Sequence, residues 1–157
     1  PFNTFGPRQS LRAIIPTVMH QIINGKKKIK LGVLNTKRDF NYVSNTIDGI
    51  ISLIGAKKTS GEVFNIGYGK NVSMLDLVKN IKNVTGENFD VIYDKQKIRP
   101  KNSEVSYLLA DNKKIKKNIG WKPKYDNYKK ITKALENTYK WFKKNQNKYN
   151  QERKFVE

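Results

Sequence analysis

The feature that most restricts the fold of this chain is an exchange of periods, in which apolar residues recur at helical spacing, then alternate, then return to helical spacing. Ile14, Ile15, Val18, Met19, Ile22 and Ile23 predict a helix over 11–23 with one buried face, and Gly25 follows as a stop. Residues 28–31 read as a short strand before Gly32, and 40–43 as a second extended segment. Asn45 with Asp48 three residues on forms a helix-capping pattern, with Ile47, Ile50, Ile51 and Ile54 as the buried stripe behind it. Residues 61–66 read as a strand through Val63, Phe64 and Ile66. Ser73 and Asp76 repeat the capping pattern before Leu77, Val78, Ile81 and Val84, a helix that ends at Gly86. Phe89, Val91 and Tyr93 alternate as in a half-buried strand. A short helix over 111–119 closes at Gly120, and a last helix runs over 128–144 on Ile131, Leu135, Thr138 or Tyr139, and Phe142. Strands exchanging with helices predict an α/β architecture. Residues 145–157 are polar, lack a stripe, and are expected to fray.

At 157 residues and 37% hydrophobic, the chain has enough apolar material for one globular domain and too much for a disordered tail. It contains no Cys, so disulfide frameworks and thiolate metal sites are excluded. No apolar run reaches the roughly 20 residues that cross a bilayer, and no signal-peptide pattern occurs, which predicts a soluble cytoplasmic protein without a membrane partner.

The formal charge of +19 raises the possibility of a nucleic-acid surface. The cations are overwhelmingly Lys, spread over nearly every polar segment together with many Asn residues, and no aromatic-interleaved basic motif accompanies them. A composition bias toward Lys and Asn on solvated faces is the better reading, so no nucleic-acid partner is expected. The same excess favours an anionic ligand.

Four polar stretches stand where packing does not require them: 3–8, 36–43, 64–67 and 98–105. Each has an ordinary explanation. Asn65 can satisfy a turn before Gly67, while Arg38 beside Asp39, and Arg99 near Glu104, can be surface ion pairs. Arg is scarce here, however, and a guanidinium clasps phosphate bidentately where Lys offers a point charge. His20 is the sole His and reads as a helix surface residue, with no metal expected.

The runs F-N-T-F-G-P-R-Q-S-L-R-A-I-I-P, L-G-V-L-N-T-K-R-D-F-N-Y-V-S-N-T, G-E-V-F-N-I-G, R-P-K-N-S-E-V-S-Y-L-L-A-D and I-G-W-K-P resemble, in order and spacing, the C-terminal half of the extended short-chain dehydrogenase/reductase family. More narrowly they resemble the nucleotide-sugar 4,6-dehydratases and their epimerase relatives. The resemblance implies that residues 1–144 are a nucleotide-sugar-binding region together with the last elements of an NAD(P)-binding Rossmann domain, with 145–157 as a polar tail.

Carried over position by position, the resemblance implies that Asn3 contacts the diphosphate-sugar and that Thr4 lies near the nicotinamide end of NAD or NADP. Ala13 and Ile14 correspond to a substrate-contacting pair. Ala13 replaces a Lys found in some dehydratases, which leaves main-chain contact there. Lys30 and Leu31 correspond to the strand that touches the base, Arg38 to the diphosphate-binding Arg, Asn65 to the Asn of N-I-G, and Arg99 to the Arg of R-P, with Asn102 close behind it. Two Arg residues from separate loops suit a pyrophosphate, and Asn side chains both donate and accept.

No G-x-x-G-x-x-G occurs, so the dinucleotide cradle and the catalytic Tyr-Lys pair are expected upstream of Pro1, and the chain is expected not to catalyse alone. Tyr125 with Lys129, and Tyr139 with Lys143, share the Y-x-x-x-K spacing but read as solvated helical residues. The resemblance implies an NAD-dependent lyase of cell-surface polysaccharide biosynthesis, homodimeric when intact. It would oxidise C4 of a UDP-linked N-acetylhexosamine, lose water across C5 and C6, and return hydride to C6. A C4 epimerase is the alternative within the family, and a nucleotide-binding module without chemistry the alternative outside it. Without a Rossmann sheet to cover it, the Ile stripe of 47–54 is expected to be exposed.

Overall fold

The computed structural model describes residues 1–57, 59–94 and 105–149. In chain order the elements are β1 (Thr4–Phe5), α1 (Ile14–Ile23), β2 (Lys28–Leu31), β3 (Lys37–Arg38), β4 (Asn41–Tyr42), α2 (Val43–Ile54), β5 (Val72–Ser73), α3 (Met74–Thr85), β6 (Asp90–Tyr93), β7 (Tyr107–Leu108), α4 (Lys113–Ile119), α5 (Tyr128–Lys144) and α6 (Gln146–Tyr149). β1 pairs with β4 and β2 with β6, both parallel, while β3 lies between antiparallel β5 and parallel β7. This is the expected α/β architecture.

The main core forms where α1, α3 and α5 meet the β2–β6 pair. The helical stripes fill it: Ile15, Val18, Met19 and Ile22 from α1, Leu77, Val78 and Ile81 from α3, and Ile131, Leu135 and Phe142 from α5. A smaller cluster joins Ile66, Ile115 and Trp121. Local stops work as their chemistry requires. Ser73 caps α3 by accepting from the Asp76 N–H at 3.0 Å, and Gly86 ends that helix at φ +68°. Pro16 falls in the first turn of α1, where its missing N–H has no intrahelical partner to lose. No helix among the described residues is long and apolar enough to cross a membrane.

Four local expectations are corrected. Helix α1 begins at Ile14 rather than Leu11, because the preceding residues belong to the turn from Gly6. Helix α2 begins at Val43, with Tyr42 and not Asn45 in the capping position. Asn45 is buried in the first turn, donating to Asn41 Oδ1 at 3.0 Å and accepting from the Tyr125 N–H at 3.0 Å. Residues 61–66 form no strand; Val63 and Asn65 are exposed, and the Ile66 carbonyl accepts from the Phe2 N–H at 2.9 Å. Finally, the polar segment does not fray at once, since α6 returns Tyr149 against Phe142, ring centroids 4.9 Å apart.

Helix α2 packs through its small and polar face. A Cβ on Gly49 would meet Ile66 Cγ2 at 3.0 Å and Trp121 Cε2 at 3.2 Å, and Thr46 lies buried one turn before. Its opposite face therefore points outward, leaving Ile47 52%, Ile51 63% and Ile54 80% exposed. The buried stripe read from the spacing of Ile47, Ile50, Ile51 and Ile54 is therefore corrected: these residues lie on the exposed face, and Asn45, Thr46 and Gly49 form the packed one.

Candidate functional site

A cleft of about 920 Å³ opens between the turn after β1, the start of α1, residues 31–33 and β3. Its geometry begins at Gly6, whose φ of +154° and close packing on Val43 exclude a side chain: a Cβ would fall 2.6 Å from Val43 Cγ1. The chain turns there, with Gln9 N–H donating to the Gly6 carbonyl at 3.3 Å and Arg8 held at φ +67°, a left-handed conformation that non-glycine residues rarely adopt. The turn delivers Ser10, Arg12 and the first residues of α1 to the cleft wall.

Five of the residues that sequence reasoning singled out line this one cleft. They are Asn3, Ala13, Ile14, Leu31 and Arg38, drawn from four separate segments. Asn3 donates from Nδ2 to the Asp39 main-chain carbonyl at 3.1 Å. Ala13 is the cap of α1 in an extended conformation, without a side-chain cap and without an acidic residue in the first turn. The positive end of that helix is thus unneutralised by its own side chains, as an anion-accepting terminus requires. Arg38 is half-buried on β3 and donates through a guanidinium nitrogen to the Lys37 carbonyl at 3.0 Å.

The others stand elsewhere or outside the described residues. Lys30 alternates with Leu31 along β2, so it faces solvent and does not line the cleft; its N–H donates to Gln21 Oε1 at 3.2 Å. Asn65 is exposed away from the cleft. Arg99 and Asn102 lie outside the described residues. Thr4 is engaged internally: its hydroxyl donates to the Phe2 carbonyl at 3.0 Å and meets the Thr46 hydroxyl at 2.9 Å.

Gln9, Ser10 and Arg12 are cleft residues that sequence reasoning did not assign. Gln9 donates from Nε2 to the Thr4 carbonyl at 2.7 Å, and its buried Oε1 is without a hydrogen-bond partner. The signal available was their place in the Gly-Pro turn, where polar residues precede an apolar helix.

Asp39 differs most from its expected part. Rather than serving as the ion-pair partner of Arg38, its fully buried carboxylate accepts three main-chain N–H bonds, from Tyr68 at 2.7 Å, Gly69 at 2.8 Å and Ala110 at 3.1 Å. Burial pushes this carboxyl above the ordinary range, and the three N–H donors oppose that rise. Asn112 adds to the same junction, accepting from the Gly67 N–H at 3.2 Å and donating to its carbonyl at 2.9 Å.

The described residues do not build a nicotinamide dinucleotide site. Thr4, the residue aligned with the nicotinamide end, is outside the cleft lining with its hydroxyl committed internally, and no glycine-rich strand-to-helix turn cradles a pyrophosphate. Among the described residues, no group of His, Asp or Glu is arranged to hold a metal ion. A second hollow of about 400 Å³ lies beside α3 and α5, where Asn80 Oδ1 accepts from the Tyr128 hydroxyl.

Known proteins share the sequence pattern and the fold. The family described as GDP-mannose 4,6 dehydratase matches residues 1–135. A UDP-glucose 4-epimerase of Lactobacillus helveticus is 30% identical over 139 residues, which take in 83% of this chain and 40% of that enzyme. Among solved structures, a UDP-N-acetylglucosamine 4-epimerase from Methanobrevibacter ruminantium M1, in complex with UDP-N-acetylmuramic acid, is similar at a TM-score of 0.75 and 28% identity, over 92% of this chain and 44% of that one. A dTDP-glucose 4,6-dehydratase from Bacillus anthracis, in complex with NAD, gives 0.76 at 25% identity, over 93% and 44%. The chain spans less than half the length of the curated relatives it matches. By the match over most of its length, the chain belongs to the GDP-mannose 4,6 dehydratase family, within the NAD-dependent epimerase/dehydratases of the extended short-chain dehydrogenase/reductase class.

Proposed function

We propose that this chain is the substrate-binding portion of a nicotinamide-dependent nucleotide-sugar 4,6-dehydratase that acts on a UDP-linked N-acetylhexosamine. The observation that carries the reading is the single cleft in which Arg38, Asn3 and the uncapped start of α1 face the same space. A guanidinium and a helix N-terminus on one cavity suit a diphosphate, whose charge each favours by a different means. Asn3, with donor and acceptor on one side chain, suits sugar hydroxyls. Anchoring the nucleotide at a distance would let its binding energy orient the hexose. The outward Ile face of α2 is the surface on which a cofactor-binding sheet would pack, in keeping with relatives about twice as long as this chain.

A C4 epimerase is the second reading, favoured by relatives and neighbours that bear that name. The two are separated by product. The full-length protein, incubated with NAD and UDP-N-acetylglucosamine, is expected to give a 4-keto-6-deoxy sugar nucleotide by proton NMR. Formation of the C4 epimer instead would establish the alternative. Calorimetric titration with UDP tests the cleft itself: saturable binding weakened at least tenfold in Arg38→Ala supports the reading, and absence of binding overturns it.

A further inference from the structure

Asp39 has a role that its place on the strand does not demand. Main-chain bonds already hold this stretch, with the Asp39 N–H donating to the Leu108 carbonyl at 2.9 Å. Its side chain nevertheless goes fully into the interior, where it gathers N–H groups from two segments, residues 68–69 and residue 110, that Asn112 also joins through its two bonds to Gly67. A carboxylate offers only acceptors, and three converging N–H groups supply it with partners inside the fold. Its main-chain carbonyl meanwhile takes the Asn3 amide at 3.1 Å. One residue therefore ties together both cleft side chains: Asn3 by hydrogen bond, and Arg38 as its covalent neighbour.

The junction is packed without slack. A Cβ on Gly67 would lie 2.3 Å from Ala110 Cβ and 3.0 Å from Asp39 Oδ2. A shift of the carboxylate cannot be absorbed by open space, so it would pass into β3 and turn the guanidinium on the next residue.

We propose that Asp39 is a positioning residue of the cleft, whose buried carboxylate fixes β3 against the 67–69 turn and Ala110 so that Arg38 and Asn3 are presented together to a diphosphate. The inference rests on the reading of the cleft as a nucleotide-diphosphate site. It assigns Asp39 no contact with the ligand.

A double-mutant cycle on the full-length protein tests it, with UDP as the probe and calorimetry as the readout. Asp39→Asn keeps the size but turns one acceptor into a donor facing donors. The expected result is at least a tenfold loss of UDP affinity in Asp39→Asn, with Arg38→Ala adding no more than about twofold in that background. Losses that multiply independently, or unchanged affinity with only a lowered melting temperature, would overturn the proposal. Hydrogen exchange on the unmutated protein decides the matter should Asp39→Asn not fold. The Tyr68, Gly69 and Ala110 amides are expected to exchange more slowly when UDP is bound, because coupling between two sites is reciprocal. UDP binding that leaves those amides unchanged overturns the positioning role alone, whereas failure of the unmutated protein to bind UDP overturns the cleft reading beneath it.

Discussion

Asn3 and Asp39, thirty-six residues apart, are joined by a 3.1 Å hydrogen bond from the Asn3 amide to the Asp39 carbonyl. The same two segments are laced as parallel strands, Thr4 opposite Asn41 and Phe5 opposite Tyr42. A side chain at the mouth of the cleft is thereby fixed by the main chain beside Arg38, and the geometry of the cleft depends on that registry.

Gly67 is the tightest point behind it. Gly67→Ala places a methyl 2.3 Å from Ala110 Cβ, so an overpacking cost of about 1–3 kcal/mol is expected. Thermal unfolding followed by circular dichroism should show a melting temperature lower by roughly 5 °C. An unchanged midpoint would mean that the junction yields.

Asp48 supplies a pH-dependent signal away from the cleft. The Lys124 ammonium at 2.7 Å, helped by the Trp121 indole N–H at 3.1 Å, holds its carboxyl below the ordinary value, against a smaller opposing effect of burial. A carboxyl lowered in the folded state contributes stability that is present above its unfolded pKa and is lost as pH falls through the folded one. Trp121 fluorescence is expected to titrate with a midpoint below 3.8, and Asp48→Asn to abolish that transition. A midpoint at or above that value would contradict the pairing.

The uncovered face of α2 predicts association. Ile51 and Ile54 are 63% and 80% exposed, so in the 157-residue chain by itself Ile51→Glu with Ile54→Glu should leave the melting temperature within about 1 °C while reducing self-association in sedimentation velocity. A collapse of the fold would show instead that these side chains are packed.

Much of the fold was legible because its signals are local. The Ser73 cap, the Gly86 and Gly120 stops and the apolar stripe of α5 each require only residues within a few positions of one another. Asn45 misled for the opposite reason. Its cap-like spacing to Asp48 is a local pattern, but its side chain is taken by Asn41 and by Tyr125, eighty residues away, so the helix starts three residues earlier, with Tyr42 in the capping position. Residues 61–66 hold the β-favouring residues Val63, Phe64 and Ile66 yet form no ladder among the described residues, because such residues suit a strand without supplying a partner to pair with. At the cleft, the Arg38 motif was legible from the scarcity of Arg. The part played by Asp39 was not, since its three donors come from residues 29, 30 and 71 positions away.

The most direct measurement is an NMR titration of the protein with UDP, following main-chain amides and the Arg38 and Asn3 side chains. Saturable shifts centred on Ala13, Ile14, Arg38 and Asn3 are predicted. Shifts centred on Asn71, Asn80 and Tyr128 at the second hollow, or no saturable shift at all, would contradict a nucleotide-diphosphate cleft at the start of α1.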